Sequence, residues 1–254
     1  MRQGIGMSRS WLKLVVVALM TIGLVGCGRS ESYRYKLTLA VDTPDGGKRG
    51  SSVVEVEFYD VSFPERGTMH KLHGEALYLD LGPGKRPLIA LLTRQIRVEP
   101  MRRGEYEYQY AERQRWTREV GPSLIWLYRL YDLPTSEDDA LARALRISRM
   151  RGAREIVPTD LPDLVTFADV NDPKTVIEVD PNDLQATLGP GVSWSKVTLE
   201  STDEPVTKGI ELKLPWLPRY HEKNWALNGI ELGIYGPDRP LSNVLRWTDF
   251  KSAH

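Results

Sequence analysis

Apolar and polar residues alternate over residues 33–41, YRYKLTLAV. The large apolar side chains fall on every second position, at Tyr33, Tyr35, Leu37, Leu39 and Val41. A period of two places them all on one face of a β-strand. Alternation resumes at 54–58, after the turn-forming cluster PDGG at 44–47. Two alternating strands around a turn predict an antiparallel hairpin with one buried face.

Further strands are predicted at 75–81 and 87–93, and the short connection GPGK at 82–85 would extend the hairpin into a four-stranded meander. GPGK lacks the spacing of a phosphate-binding loop, so a hairpin turn is the better interpretation. Three more segments read as strands, at 164–167, 175–179 and 193–202.

Helical and irregular segments complete the expected architecture. Ser136 is the expected N-cap of a helix over 137–151, with acidic residues at its start, arginines toward its end and Gly152 closing it. Leu141, Ala144, Leu145 and Ser148 would line one face of that helix. Asp180 is the expected cap of a short helix that begins at Pro181.

Two aromatic regions lack a clear period. Residues 105–131 are rich in Tyr and Trp and are interpreted as partly helical. Within the last 50 residues, long loops packed by aromatic side chains are expected around Trp216, Trp225 and Trp247. The sequence therefore predicts an α+β fold: an antiparallel sheet with an N-terminal hairpin or meander, a few helices and long loops. Residues 33–254 would form a single globular domain, with a candidate internal boundary near 155–160.

The N-terminus has the pattern of a secretory signal. Residues 1–26 contain three basic residues and no acidic one, and residues 14–26 form an uncharged run of 13 residues. A membrane-spanning helix needs about 20 apolar residues, so this run is too short to cross a bilayer. Either Met1 or Met7 is compatible with such a leader.

The apolar run ends in Leu24, Val25, Gly26 and Cys27, and Cys27 is the only cysteine of the chain. This stretch resembles the lipobox of bacterial lipoproteins. The resemblance implies a diacylglyceryl group on the Cys27 sulfur, cleavage after Gly26 with residues 24–26 as the recognition sequence, and acylation of the new amino group. Residues 27–32 would then be the lipidated cysteine and a short tether. Gly28, in place of the Asp that retains enteric lipoproteins in the inner membrane, favours the outer membrane. The alternative is a buried thiol in an N-terminal helix.

Charge and cysteine content exclude some classes of protein. The chain has 34 basic and 34 acidic residues, and loss of the leader would leave a slightly acidic domain. Such a balance argues against a nucleic-acid-binding protein. With its one thiol lipidated, the domain would be held together without disulfides.

Five arginines lie within residues 143–154, at Arg143, Arg146, Arg149, Arg151 and Arg154, and this stretch contains no acidic residue. Residues 155–204 are by contrast strongly acidic. The arginines either form a solvated face that pairs with acids of the same chain or contact an anionic lipid surface or another envelope protein.

Other polar motifs are weaker candidate sites, and no cofactor or metal is expected. His70 and His73 have metal-ligand spacing only if they are helical, and their context is loop-like. Ser193 partly matches the nucleophile motif of serine hydrolases, with His221 as the candidate base. That motif requires a helix after the serine, whereas the segment after Ser193 reads as a strand. The acidic stretch 169–183 fits turns better than a calcium loop, because the required glycine is missing. The aromatic residues of 105–131 are either core or stacking platforms for sugar rings.

Segments 33–56, 160–191 and 204–217 are together similar to a family of proteobacterial proteins of uncharacterised activity. That resemblance transfers no catalytic residue. The function expected from the whole sequence is a membrane-anchored envelope lipoprotein whose periplasmic domain has a binding or structural role. The alternative is an envelope hydrolase that acts on cell-wall material.

Overall fold

The computed structural model describes residues 29–61, 67–98, 115–120, 131–132, 139–230 and 240–252. Within them lie eleven strands: β1 (Ser30–Asp42), β2 (Lys48–Val61), β3 (Gly67–His73), β4 (Leu77–Leu79), β5 (Leu88–Ala90), β6 (Thr93–Val98), β7 (Arg115–Val120), β8 (Arg154–Glu155), β9 (Leu164–Phe167), β10 (Val176–Glu178) and β11 (Ser193–Ser201). The α-helices found there are α1 (Ala140–Ser148), α2 (Leu184–Leu188), α3 (Leu217–Lys223) and α4 (Leu241–Val244). The protein has an α+β fold, as predicted.

The N-terminal hairpin is confirmed. Strands β1 and β2 pair antiparallel, with Tyr33 opposite Val56 and Tyr35 opposite Val54. The alternating residues of β1 are buried, and Leu39 has no exposed surface. At the turn, Gly46 has φ of 103° and its N–H donates to the carbonyl of Thr43 over 2.9 Å. We call the buried side of this sheet its inner face and the opposite side its outer face.

The predicted four-stranded meander is wrong. The first sheet has the order β3-β2-β1-β11-β8, and β4 and β5 belong to a second sheet with the order β10-β9-β5-β4. Strand β3 occupies the edge of β2, so β4 cannot pair there. The chain leaves β3 through Gly74, which has φ of 152° and comes so near β2 that a Cβ would lie 3.0 Å from Cγ2 of Val54. Each sheet therefore combines strands from both sides of residues 155–160.

Two hydrophobic cores lie on either side of the second sheet. The first fills the space between the inner face of the five-stranded sheet, the second sheet and α1, and includes Leu39, Val54 and Ile147. The second joins the other side of the second sheet to the C-terminal segments, with the Trp216 ring centroid 5.4 Å from those of both Tyr220 and Phe250. Aromatic packing of this region was predicted, but α3, α4 and two 3-10 turns replace some of the expected loops.

Helix α1 is shorter than predicted. Its N-cap is Asp139, whose side chain accepts from the N–H of Leu141, and Ser136 lies outside the described residues. Its C-cap is Arg149, three residues before Gly152, because the N–H of Arg149 already bonds the carbonyls of Arg146 and Ile147. The buried positions are Leu141, Ala144 and Ile147. Leu145 and Ser148, expected on the same face, are only half-buried.

The helix expected after Asp180 begins later than predicted. Asp180 instead accepts from the N–H of Asn182 in a turn, over 2.8 Å. Asp183 is the N-cap of α2, and its side chain accepts from the N–H of Ala186. Both Asp residues have side chains able to satisfy a free N–H, and the sequence alone did not distinguish them.

The helical interpretation of residues 105–131 is wrong where the structure describes that region. Residues 115–120 form β7, which pairs antiparallel with β6 over six residue pairs. The ladder supplies the hydrogen bonds that a helix would have made within itself. Residues 105–114 and 121–130 lie outside the described residues.

We call residues 202–209 the crossing segment. They run over the outer face from the end of β11 to the edge of β2 that faces away from β1. On the way, Glu204 Oε1 lies 2.6 Å from Lys36 Nζ. At the edge, Thr207 donates its N–H to the Val53 carbonyl over 3.0 Å, and Thr207 Oγ1 accepts from the N–H of Val53 over 2.8 Å. The crossing segment thereby covers Val53, whose side chain points to the outer face yet is buried.

Candidate functional site

The first sheet begins close to Cys27 in the sequence. Arg29, two positions after Cys27, accepts at its carbonyl from the N–H of Asp60 over 3.0 Å. Its Nε lies 3.1 Å from Asp60 Oδ2, and its Nη1 lies 3.4 Å from Asp139 Oδ2. The hydrogen bond and charge of Asp60 raise the pKa of Arg29. Arg29 thus ties the chain to both β2 and the start of α1.

The expected tether is therefore shorter than predicted. Strand β1 begins at Ser30, so residues 30–32 are part of the sheet and lie opposite residues 57–59 of β2. Their backbone groups find partners on β2, which favours the strand over a free linker. Cys27 itself lies outside the described residues, as do Leu24, Val25 and Gly26.

His70 and His73 lie in strand β3, not in the loop that the sequence indicated. Their odd spacing points them to opposite faces of the sheet. The His70 ring is 5.8 Å from the Phe58 ring on the inner side, whereas His73 Nε2 lies 3.4 Å from Glu57 Oε2 on the outer side. In the described part of the chain, no cluster of three or more His, Cys, Asp or Glu could hold a metal ion.

The structure separates the five arginines that the sequence grouped together. Arg143 is partly buried on α1, and its Nε lacks a hydrogen-bond partner in the described structure. Arg146 and Arg149 are exposed near the end of that helix. Arg151 forms an ion pair with Asp203 and also donates to the Ser148 carbonyl over 2.7 Å.

Arg154 lies on β8 with its guanidinium 5.8 Å from the centroid of the Tyr131 ring. The Tyr131 hydroxyl donates to the carbonyl of Gly152 over 3.2 Å and accepts from the N–H of Ser201 over 2.8 Å. Burial raises the pKa of Tyr131. The Arg151–Asp203 pair agrees with the intrachain interpretation, while Arg149 and Arg154 remain exposed to a partner.

Ser193 and His221 do not form a nucleophile–base pair. Ser193 begins strand β11 opposite Asp42, and the strand, not a helix, continues after it. His221 lies in α3, and its ring is 4.1 Å from the ring of Trp247. The strand that Ser193 begins contributes to the first core, whereas Trp247 belongs to the second.

The acidic stretch 169–183 forms turns and caps, as predicted. Asp169 accepts from the N–H of Asn171 over 2.9 Å, and Asp172 accepts from the N–H of Lys174 over 3.0 Å. These bonds direct the carboxylates at their own backbone, which is the usual role of Asp in turns.

A buried charged group escaped the sequence analysis. Glu75 is 4% exposed, and its Oε2 accepts from the N–H of Ile210 over 2.8 Å. Lys251 Nζ lies 3.7 Å from Glu75 Oε1 and 2.6 Å from Glu211 Oε1. This network fastens the end of the crossing segment and the C-terminus to the start of β4, which is a structural role. No local pattern around Glu75 signals a partner more than 130 residues away.

No protein-family model, curated protein or solved structure matches this chain. The resemblance to lipoproteins therefore depends on residues 7–27, and the resemblance to a proteobacterial family remains a prediction. None of the helices in the described residues has both the length and the apolar character needed to cross a membrane.

Proposed function

We propose that this protein is a lipid-anchored protein of the bacterial cell envelope, with Cys27 as the acylated residue and the folded domain on the periplasmic side. The observation that carries the proposal is the uncharged run at 14–26 that leads into Cys27, and β1 begins at Ser30, three residues after that cysteine. A lipidated cysteine in that position would hold the central sheet directly at a bilayer. Two acyl chains are enough for stable anchoring, since each buried methylene contributes about 0.8 kcal/mol.

We further propose a binding or structural role, not catalysis. His70, His73 and His221 lie on different faces or different elements, and the acidic stretch is occupied by its own turns. This arrangement offers no support to the alternative of a cell-wall hydrolase. Arg149 and Arg154 are exposed charges suited to an acidic partner such as another envelope protein.

Metabolic labelling with a fatty-acid probe tests the anchor. The wild-type chain should incorporate the probe and sediment with membranes, and Cys27→Ser should do neither. Ser30→Ala is the matched control, because it alters a nearby small residue and leaves the lipobox intact. A wild-type protein that carries an uncleaved leader and a bare thiol by mass spectrometry would refute the proposal.

Substitution of Gly28, the residue after the cysteine, tests which of the two membranes holds the protein. In an enteric host, the wild-type chain with Gly28 should fractionate with the outer membrane on a density gradient. Gly28→Asp should move it to the inner membrane fraction. An unchanged distribution would contradict the preference for the outer membrane while leaving the anchor itself unaffected.

A further inference from the structure

The ends of three strands lie side by side at the end of the domain nearest Cys27. Ser30 of β1 is opposite Tyr59 of β2, and Tyr59 is in turn opposite Met69 of β3. Because neighbouring strands are antiparallel, moving back along β1 toward Cys27 runs in the same direction as moving forward along β2. Val61 therefore lies about 7 Å beyond the Ser30 row. Cys27 can be at most about 10 Å beyond that row.

The outer face of this end carries an unusual combination of side chains. We define the tip patch as Tyr59, Val61, Met69 and Lys71, which share the outer face by their odd positions on β2 and β3. Met69 is 49% exposed, and Lys71 Nζ lies 4.9 Å from the centroid of the Tyr59 ring. Lys71 is the charged residue of the tip patch, and Glu57 of β2 lies directly opposite it on the same face.

The inner side of the same end differs in charge. There the Arg29 guanidinium meets two carboxylates, Asp60 and Asp139, and Thr68 donates its hydroxyl to Asp60 over 3.1 Å. One side of the end is therefore polar and slightly acidic, whereas the other presents a thioether, an aromatic ring and an ammonium group that Glu57 balances. The second side carries the aromatic and apolar groups that suit a bilayer interface.

We propose that the tip patch lies in the interfacial region of the bilayer that holds the Cys27 lipid, an inference that depends on the proposed lipidation of Cys27. Tyrosine favours the membrane interface, since its ring is apolar and its hydroxyl stays hydrated. Lysine packs its alkyl stem along apolar surface while its ammonium group reaches the head groups. Met69 supplies the apolar contact. The distance between Cys27 and the Ser30 row requires no further linker to bring these groups to the bilayer.

Arg151 and Arg154 of the arginine segment, residues 143–154, lie away from this position. Arg151 pairs with Asp203, whose carbonyl accepts from Arg34, five residues or about 16 Å along β1 from Arg29. Arg154 is opposite Leu199, which pairs with Leu37 about 26 Å from Arg29 along the strand. If β1 runs along the bilayer normal, these arginines are held away from the bilayer that the anchor enters.

Site-specific fluorescence measures which surface meets the bilayer. A lipidated Cys27 leaves no other native thiol, so a single introduced cysteine can be labelled with an environment-sensitive fluorophore. Met69→Cys reports on the tip patch, and Lys71→Cys is a second reporter in case the first variant folds poorly. The matched control is Ser51→Cys, an exposed position on the outer face of β2, eight residues or about 26 Å from Tyr59. Arg149→Cys reports on the arginine segment.

The lipidated variants are reconstituted in vesicles of phosphatidylethanolamine and phosphatidylglycerol, after mass spectrometry has verified the acyl chains. At position 69 we expect a several-fold lower quenching constant for aqueous iodide than at 51 and 149, together with quenching by a shallow nitroxide lipid. Equal iodide quenching at 69 and 51, or protection at 51 or 149 in place of 69, would overturn the tip patch contact while leaving the anchor intact. A chain without acyl chains would instead fail at the mass measurement, and the proposed function and this inference would be rejected together.

Discussion

The two faces of the five-stranded sheet are covered in different ways. The inner face is buried under a second sheet and α1, and its contacts are almost entirely apolar. The outer face is crossed by residues 202–209, and charged pairs such as Lys36–Glu204 lie over much of its middle. The difference indicates that one face supplies most of the stability, while the other can carry exposed residues for contacts outside the protein.

The largest effect is expected from truncating the inner face. Leu39→Ala should lower the free energy of unfolding by about 2–5 kcal/mol, because Leu39 is fully buried and its removal leaves a cavity. Lys196→Ala, at a neighbouring exposed position of β11, should stay within about 0.5 kcal/mol. Urea unfolding of the chain without its leader measures both. Similar losses for the two variants would contradict the difference between the faces.

Two buried phenols on the inner face predict sensitivity to alkali. Burial raises the pKa of both Tyr33 and Tyr35 above the ordinary value of 10.0. Unfolded tyrosine loses its proton first, so stability is full below about pH 10 and falls above it by up to about 1.4 kcal/mol per pH unit for each phenol. Tyr33→Phe with Tyr35→Phe should move the midpoint of alkaline unfolding to higher pH, as followed by circular dichroism. An unchanged midpoint would show that other groups govern alkaline unfolding.

Attachment of the crossing segment should contribute less to the free energy of unfolding than the buried side chains of the inner face. Thr207→Val removes the acceptor of the buried Val53 N–H, and an unsatisfied donor of this kind costs about 1–3 kcal/mol. Thr207→Ser keeps the hydroxyl and should retain most of the stability. If Thr207→Ser lost as much stability as Thr207→Val, the methyl group and not the hydrogen bond would be the important contact.

The smallest effect is expected for the charged pair on the outer face. Glu204→Gln should lower the free energy of unfolding by about 0.2–1 kcal/mol, because Glu204 is half exposed and water screens its attraction to Lys36. The loss should shrink in high salt, which screens exposed charges. A loss as large as that of Leu39→Ala would mean that the outer face stabilises the sheet as strongly as the inner one.

The local sequence pattern was enough to predict the hairpin but not the rest of the five-stranded sheet. Alternation from Tyr33 to Val41 identified β1, its buried face and its partner β2, because these contacts are near in sequence. The pairing of Tyr35 with Ser201 joins residues 166 positions apart, and alternation carries no information on which distant strand is the partner. Strand β3 was missed because five of its seven residues are exposed and show no apolar period.

The same limit applies to the candidate site. Leu24 to Cys27 are contiguous, so the proposal of lipidation at Cys27 needs only a local stretch of sequence. The tip patch could not, because Met69 and Lys71 reach Tyr59 only through the register of β2 and β3. Likewise, Arg29 pairs with Asp60 and Asp139, and none of the three residues is distinctive in the sequence.

The position of β1 between β2 and β11 also has a consequence for biosynthesis. The ribosome completes β1 long before Ser201 emerges, and at about 5–20 residues per second that interval is roughly 8–30 s. During this time β1 has one unpaired edge with strongly apolar side chains, which is a template for aggregation. A chaperone that holds the nascent chain extended would therefore be expected to improve the yield of this protein more than one that acts only after release.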